Sequence, residues 1–242
     1  MVRRIVKGLG VVFGLLALVA LGTTWWVHEP KPPFVPNAEG DLRATAMLQA
    51  LRVEEWARID VIEWTFVGLR SYRWDKTNNT VLVRWADNVV WVDLNRQTGE
   101  VRQPASQVGD AALVQRAIRA FNNDSFWLAA PYKVFDPGTS RSWITLPDGR
   151  EGLMVTYSKG GTTPGDTYVW LLDADHRPIG LKMWVSVIPL GGVEVSWEDY
   201  AVLSNGAMVA QSHRGFAGVN VGISNVSVEL VDTTHVSGER AH

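Results

Sequence analysis

The chain has 242 residues, 46% of them hydrophobic and 20% charged, which is enough apolar sequence for one substantial core. Its 23 basic and 25 acidic residues leave a formal charge of −2 with no basic stripe, so the composition argues against nucleic-acid binding. The absence of cysteine excludes disulfides, thiolate metal sites and a cysteine nucleophile. The twelve tryptophans suit a core, a ligand-facing wall or a membrane interface.

An uncharged, mostly apolar stretch over residues 8–27 follows a basic flank at residues 1–7. Its length is about what a bilayer-spanning helix requires. The basic flank predicts that residues 1–7 lie in the cytoplasm and the rest of the chain outside it, and a tryptophan pair stands where an interfacial aromatic belt would lie. A cleavable signal peptide is the alternative, because Ala20 and Gly22 offer a small-x-small cleavage site. Both alternatives predict an exported protein.

Residues 28–40 are rich in proline, with four prolines between His28 and Pro36. Such a stretch cannot continue a helix and favours an extended, semi-rigid conformation, so it predicts a stalk between membrane and domain. A helical pattern then begins with Asp41 as its predicted N-cap and ends near Arg58.

After this helix the hydrophobic pattern changes to a period of two. Ile62, Trp64 and Phe66 alternate with less apolar residues, as in a half-buried strand. Further alternating segments follow, and Asn205-Gly206 is the strongest hairpin signal in the chain because both residue types tolerate positive φ. The sequence predicts about ten strands, all antiparallel.

A second helical pattern begins at Asp110. This helix is predicted to end at residues 122–125, where two asparagines, an aspartate and a serine follow each other. Two main helices and many antiparallel strands predict an α+β domain over residues 41–232. A polar tail over residues 233–242 completes the chain.

The sequence offers little sign of catalysis. The five histidines are scattered without metal-ligand spacing, and no nucleophile-elbow or phosphate-loop motif is present, so we expect no metal site, no cofactor and no catalytic residue. An envelope hydrolase remains as an alternative, with Asp124 and Asp136 as acid/base groups and Lys133 as their electrostatic partner. A structural interaction module without a small ligand is a further alternative.

Binding through apolar surface is the better-supported expectation. A curved antiparallel sheet backed by helices can leave an apolar cavity on its concave face, although a filled core is the other outcome. We expect the side chains that face this cavity, or plug it, to be Trp64, Phe66, Phe126, Trp127 and Trp184.

Two short motifs carry a resemblance to a known family. One is N-D-S-F-W-L at residues 123–128 with P-x-K and an aspartate after it, and the other is T-P-G-D-x-Y at residues 163–168. Over most of residues 61–215 they resemble a family of uncharacterised exported bacterial proteins, which is similar to the outer-membrane lipoprotein-carrier and sigma-factor-regulator superfamily. The family-motif positions singled out are Asp124, Pro131, Lys133, Asp136 and Asp166.

The resemblance implies a curved antiparallel half-barrel wrapped round helices that plug its mouth, with an apolar cavity able to take acyl chains. It also implies the bacterial cell envelope as the location, with the domain outside the cytoplasm. The chain lacks the lipid-modified cysteine of the carriers and has the predicted anchor over residues 8–27 instead. We therefore expect an inner-membrane-tethered carrier or sensor of a lipid, an acyl chain or another apolar ligand; if the signal is cleaved, the protein is periplasmic or secreted. Binding to a protein partner is a further expectation that the sequence leaves open.

Overall fold

The structure is a computed structural model that describes residues 28–159, 165–215 and 218–231. Within these ranges three α-helices pack against two antiparallel sheets with thirteen strands between them, so the predicted α+β class and the curved antiparallel architecture are confirmed with more strands than expected. The predicted anchor over residues 8–27 and the polar tail over residues 233–242 lie outside the described residues. In the described ranges, no helix has both the length and the apolar character needed to cross a bilayer.

The first helix, α1 (Ala38–Ala50), begins earlier than predicted and is followed by a short second helix, α2 (Val53–Ala57). The N-cap of α1 is Asn37 rather than Asp41, because the Asn37 side chain accepts a hydrogen bond of 2.8 Å from the N–H of Gly40. The side-chain amide of Asn37 also donates to the Ser142 hydroxyl and to the Trp143 carbonyl, so one asparagine both caps α1 and attaches it to the strand that contains these two residues.

Helix α3 (Ala111–Ala129) starts where it was predicted to start, and Asp110 is its N-cap, since its carboxylate accepts from the N–H groups of Ala112 and Leu113. The prediction that it ends at residues 122–125 is wrong. These polar residues lie within the helix, which continues to Ala129 and passes into a 3-10 turn (Ala130–Lys133) that contains Pro131. Phe126, Trp127 and Leu128 are therefore helical residues.

The large sheet contains eight strands in the order β11-β12-β13-β1-β2-β3-β4-β5, all antiparallel to their neighbours. The predicted hairpin at Asn205-Gly206 joins β11 to β12, although of this pair only Gly206 adopts positive φ, at 99°. The strands are β1 (Ile59–Phe66), β2 (Arg70–Asp75), β3 (Thr80–Trp85), β4 (Asn88–Asp93), β5 (Thr98–Gln103), β11 (Glu198–Val202), β12 (Met208–Arg214) and β13 (Asn220–Leu230).

The small sheet contains five antiparallel strands in the order β10-β9-β8-β7-β6. Its central strands have apolar residues on both faces, which predicts that both faces are covered. The strands are β6 (Thr139–Thr145), β7 (Glu151–Tyr157), β8 (Thr167–Leu172), β9 (Pro178–Trp184) and β10 (Val193–Ser196).

The two sheets meet where β10 passes directly into β11. Only Trp197 separates these strands, and a bridge between Val195 and Gly215 pairs β10 with the end of β12. The sheets thus form one curved surface around the helices. Helix α1 packs against β6 and β7, whereas α3 packs against β4 and β5 and reaches β12 and β13.

The concave face is filled with packed side chains, which form one core against each sheet. The core of the large sheet includes Trp64 and Phe121, and the core of the small sheet includes Trp170 and Leu181. Tyr132 packs against both cores. Its hydroxyl donates to the carbonyl oxygen of Leu51, the C-cap of α1, at 2.9 Å and to that of Met208 on β12 at 2.6 Å. The helices therefore connect two cores rather than roofing an empty barrel.

The proline-rich segment predicted to be a stalk lies along the outer face of the small sheet. We call residues 28–37 the strap. Its Glu29 carboxylate accepts two bonds of 2.7 Å from the buried ammonium of Lys182, and its Glu29 carbonyl accepts a bond of 2.8 Å from the Trp184 indole. Phe34 packs against a small outer cluster that includes Trp184. The strap therefore covers an apolar face of the sheet.

Replacing Gly191 by alanine tests whether the strap is docked. A Cβ atom at this position would lie 2.5 Å from the Glu29 carbonyl oxygen and 2.6 Å from a Trp184 ring carbon. We expect the free energy of unfolding to fall by about 1–3 kcal/mol, because crowded sites are strained by an added methyl group. Gly222→Ala is the matched control, since a Cβ there meets nothing within 4 Å. Equal effects of the two changes in urea unfolding would contradict the docking.

Candidate functional site

The most deeply buried charged residue of the predicted site is Asp124, which lies in α3 five residues before the helix ends and is fully buried. Arg70 on β2 donates to both of its oxygens, at 2.5 and 3.1 Å, and the Tyr72 hydroxyl donates to one of them at 2.5 Å. Burial, followed by the hydrogen bond to Asp124, raises the pKa of the Tyr72 hydroxyl, so this group stays a donor. The three residues fasten α3 to the large sheet.

The other two residues of the hydrolase alternative lie apart from this network. Lys133 and Asp136 follow the end of α3 and form an exposed ion pair of 2.5 Å with each other. Because Asp124 is already saturated by Arg70 and Tyr72, the structure does not bring the three predicted groups together around one reacting atom.

The two remaining motif residues, Pro131 and Asp166, are both buried. Pro131 is buried in the 3-10 turn after α3. Asp166 is buried just before β8, where it accepts a bond of 3.1 Å from the Ser186 N–H and one of 3.3 Å from the Tyr168 hydroxyl. Both roles fit a structural function in the fold.

The five aromatic residues predicted to line or plug a cavity occupy three different places. Trp64 and Phe66 lie in the core of the large sheet, where Trp64 stacks on Tyr72 at 4.8 Å. Phe126 and Trp127 project from the last turns of α3 toward the small sheet. Trp184 lies on the outer face under the strap, so it is separated from the concave face by the sheet itself.

An aromatic cluster surrounds Phe126 and Trp127 where α3 meets both sheets. The Trp127 ring stacks on the Trp197 ring with 6.0 Å between the ring centroids. Trp170 meets the Trp197 ring edge-on at 5.0 Å. Phe126 lies 5.1 Å from Tyr168. These rings include half-buried ones, namely Phe126, Trp127 and Tyr168, so the cluster extends from the core to the surface. We define the aromatic cluster as Phe126, Trp127, Tyr168, Trp170, Trp197 and His213.

His213 lies at the inner end of this cluster, fully buried, with its ring 3.9 Å from that of Trp197 and 5.3 Å from that of Trp127. Among the described residues, neither ring nitrogen makes a hydrogen bond of good geometry, although the backbones of Ser196 and Trp127 lie close enough to the ring to raise its pKa, and the indole N–H of the buried Trp170 has no partner. Burial lowers the pKa of His213 to about 4, against the smaller opposing effects of nearby carbonyl groups and the Glu198 carboxylate. The imidazole is therefore neutral at pH 7.

Reasoning from the sequence missed His213 and Trp197 as members of one site. The available signal was that Val209 and His213 share a face of β12, four residues apart, which places the histidine toward the core. The position of Trp197 between two strands of different sheets gave no comparable signal.

A surface groove of about 470 Å³ lies apart from the cluster, where the turns after β6 and β8 meet α1. Its floor includes Trp143, with the Arg43 guanidinium 4.8 Å from the ring centroid. The cations of the groove are already paired, Arg43 with Glu39 and Arg150 with Asp148 and Glu194. In the described ranges no three or more histidine, aspartate or glutamate side chains are grouped to hold a metal ion.

Comparisons with known proteins give similarity in structure only. No family model matches the sequence, and no curated protein matches it. A DUF1329 family protein from Desulfovibrio piger is similar to this chain with a TM-score of 0.40 and 16% identity, covering 81% of this chain and 94% of its own. A protein domain from Vibrio parahaemolyticus named for outer-membrane lipoprotein sorting is similar with a TM-score of 0.31 and 12% identity, covering 77% and 93%.

Proposed function

We propose that this chain is an envelope protein, anchored by residues 8–27, that binds an amphiphilic lipid-like ligand at the aromatic cluster without catalysing a reaction. The ligand has an apolar body, such as an acyl chain, and at least one carbonyl or hydroxyl group. The proposal depends on one observation: among the described residues, the His213 ring and the Trp170 indole are buried among aromatic rings without a hydrogen bond of good geometry.

The unpartnered polar atoms support a ligand with a polar group. A buried donor or acceptor without a partner costs about 1–3 kcal/mol, and native proteins leave few such groups. Neutral His213 offers one donor and one acceptor, and Trp170 offers one donor. A carbonyl or hydroxyl oxygen that enters the cluster would recover this cost, whereas a pure hydrocarbon would not.

The route into the cluster would lead past the end of α3. Phe126 and Trp127 are half-buried on the last turns of the helix, whereas Asp124 just before them is held by Arg70. A small displacement of the last turns would move these two rings and leave the ion pair intact. In this proposal the Asp124–Arg70 ion pair stays in place, whereas the Phe126 and Trp127 rings move and close the route when no ligand is bound.

The absence of catalysis is part of the same proposal. Asp124 is committed to an ion pair, Lys133 and Asp136 neutralise each other at the surface, and His213 has no carboxylate or hydroxyl bonded to it that would orient it as a base. Asp124→Asn should therefore change stability without abolishing a turnover.

Native mass spectrometry of the full chain, extracted from membranes in mild detergent, tests the proposal. We expect co-purified lipid on the protein and binding of a fluorescent fatty-acid ester. His213→Phe keeps a ring in place but removes the hydrogen bond, so it should weaken ester binding about tenfold. Trp91→Phe is the control, because Trp91 lies in a surface groove of the large sheet, next to Arg102. A lipid-free mass together with no ester binding would refute the proposal.

A further inference from the structure

The loop between β9 and β10 is unusually apolar for an exposed connection. Residues 185–192 read VSVIPLGG and contain no charged side chain. Val187 is 72% exposed, the highest value among the large hydrophobic residues that the structure describes, and Ile188 and Leu190 are half-buried. An exposed apolar loop without charge is a feature of surfaces that contact another molecule or a membrane.

The first described residues of the chain are attached to this loop. The N–H of Gly191 donates to the His28 ring at 3.0 Å, and the N–H of Glu29 donates to the Gly191 carbonyl at 3.0 Å. Gly191 and Gly192 allow this approach, because a Cβ at either position would lie within 2.6 Å of an atom of Glu29. The start of the strap is therefore fixed beside the loop.

The chain that precedes the strap is the uncharged stretch of residues 8–27. Consecutive Cα atoms are about 3.8 Å apart, so the end of this stretch at Val27 cannot lie far from His28. A span over residues 8–27 would thus leave the bilayer beside the loop. Trp25 and Trp26 are of the type that settles at the interface between lipid and water, which would hold this junction at the membrane surface.

Two more exposed apolar residues lie at the same end of the sheets. β10 runs antiparallel to β12 through the Val195–Gly215 bridge, so the loop before β10 lies beside the turn after β12. Val219 in that turn is 55% exposed, and Leu69, in the adjoining turn between β1 and β2, is 70% exposed. At this end Glu29 is neutralised by Lys182, and Lys31 is an exposed cation.

We infer that the loop at residues 185–192 is a membrane-docking loop, whose partner is the interfacial region of the bilayer that holds the anchor. The strap fixes the loop against this surface, and the apolar tip around Val187 inserts among the headgroups. This inference rests on the anchor in the proposed function but not on the identity of the ligand. It gives the domain one fixed orientation, with the ends of β9, β12 and β1 toward the membrane.

The test uses the full chain in lipid nanodiscs of phosphatidylethanolamine and phosphatidylglycerol. Because the chain has no cysteine, Val187→Cys can carry a single environment-sensitive nitrobenzoxadiazole label. We expect its emission to shift to shorter wavelength and to be quenched by lipids brominated near the headgroup. Val202→Cys is the control, since Val202 is 57% exposed but lies at the far end of β11, roughly 30 Å along the strands from the loop.

The outcomes separate this inference from the proposed function. Equal emission and equal quenching of the two labels, in a protein whose mass includes residues 1–27, would overturn membrane docking and leave ligand binding untouched. A soluble protein whose mass lacks residues 1–27 would overturn the anchor and the docking together. Selective quenching at position 187 that persists in a variant unable to bind the ester would support docking independently of the ligand.

Discussion

Replacing Asp124 by asparagine is expected to lower the free energy of unfolding by about 3 kcal/mol, because removing one partner of a buried ion pair leaves the other charge uncompensated. In this chain the change also leaves the Tyr72 hydroxyl without its anionic acceptor. Urea unfolding followed by tryptophan fluorescence measures the effect. Asp136→Asn is the matched control, since it breaks an exposed pair with Lys133 and should cost less than about 1 kcal/mol.

The double replacement Arg70→Met with Asp124→Leu sharpens this prediction. Apolar residues of similar volume remove both charges together, so most of the lost stability should return. A loss as large as that of Asp124→Asn alone would show that the hydrogen bonds themselves, rather than the unpaired charge, hold α3 to β2. Similar small effects of Asp124→Asn and Asp136→Asn would contradict the role of the buried pair.

Lowering the pH from 7 to 4 is expected to cost the folded state about 3 kcal/mol through His213 alone. Its pKa falls from 6.5 to about 4 on folding, because burial disfavours the charged ring. Above pH 6.5 both states are neutral at this residue, and no stability is lost. Between pH 6.5 and 4 the unfolded chain binds a proton that the folded chain does not, so the free energy of unfolding falls as the pH falls.

His213→Phe isolates this contribution, because phenylalanine keeps a ring between Trp127 and Trp197 but cannot bind a proton. The difference in unfolding free energy between parent and variant should be constant above pH 7. It should move in favour of the variant by about 3 kcal/mol as the pH reaches 4. A difference that stays constant over the whole range would show that the histidine is not buried in its neutral form.

Features that depend on a few neighbouring residues could be predicted from the sequence. Asp110 caps α3 because its carboxylate reaches the first N–H groups of the same helix. Trp64 and Phe66 lie on the buried side of β1 because side chains alternate along a strand. The turn before Ala207 forms because Gly206 accepts positive φ. In each case the decisive contact lies within a few residues along the chain.

The end of α3 could not be predicted from the residues around it. Residues 122–125 are typical of a helix end, where polar side chains compete for backbone groups. In the structure Asp124 instead bonds Arg70, which is distant in sequence. A polar residue within a helix is thus satisfied by a partner that only the folded sheet supplies, and the α-helix continues to Ala129, two residues before Pro131, which has no N–H for a helical hydrogen bond.

The sequence by itself determined the α+β class, the antiparallel strands and the buried side of elements such as β1 and α3, because periodicity and turn chemistry are local. Only the tertiary structure decided that Trp184 lies under the strap while Trp127 meets His213 and Trp197. The physical reason is that both faces of the small sheet are apolar, so alternation alone cannot say which face meets the helices. Contacts across the fold, such as that of Lys182 with Glu29, make the choice.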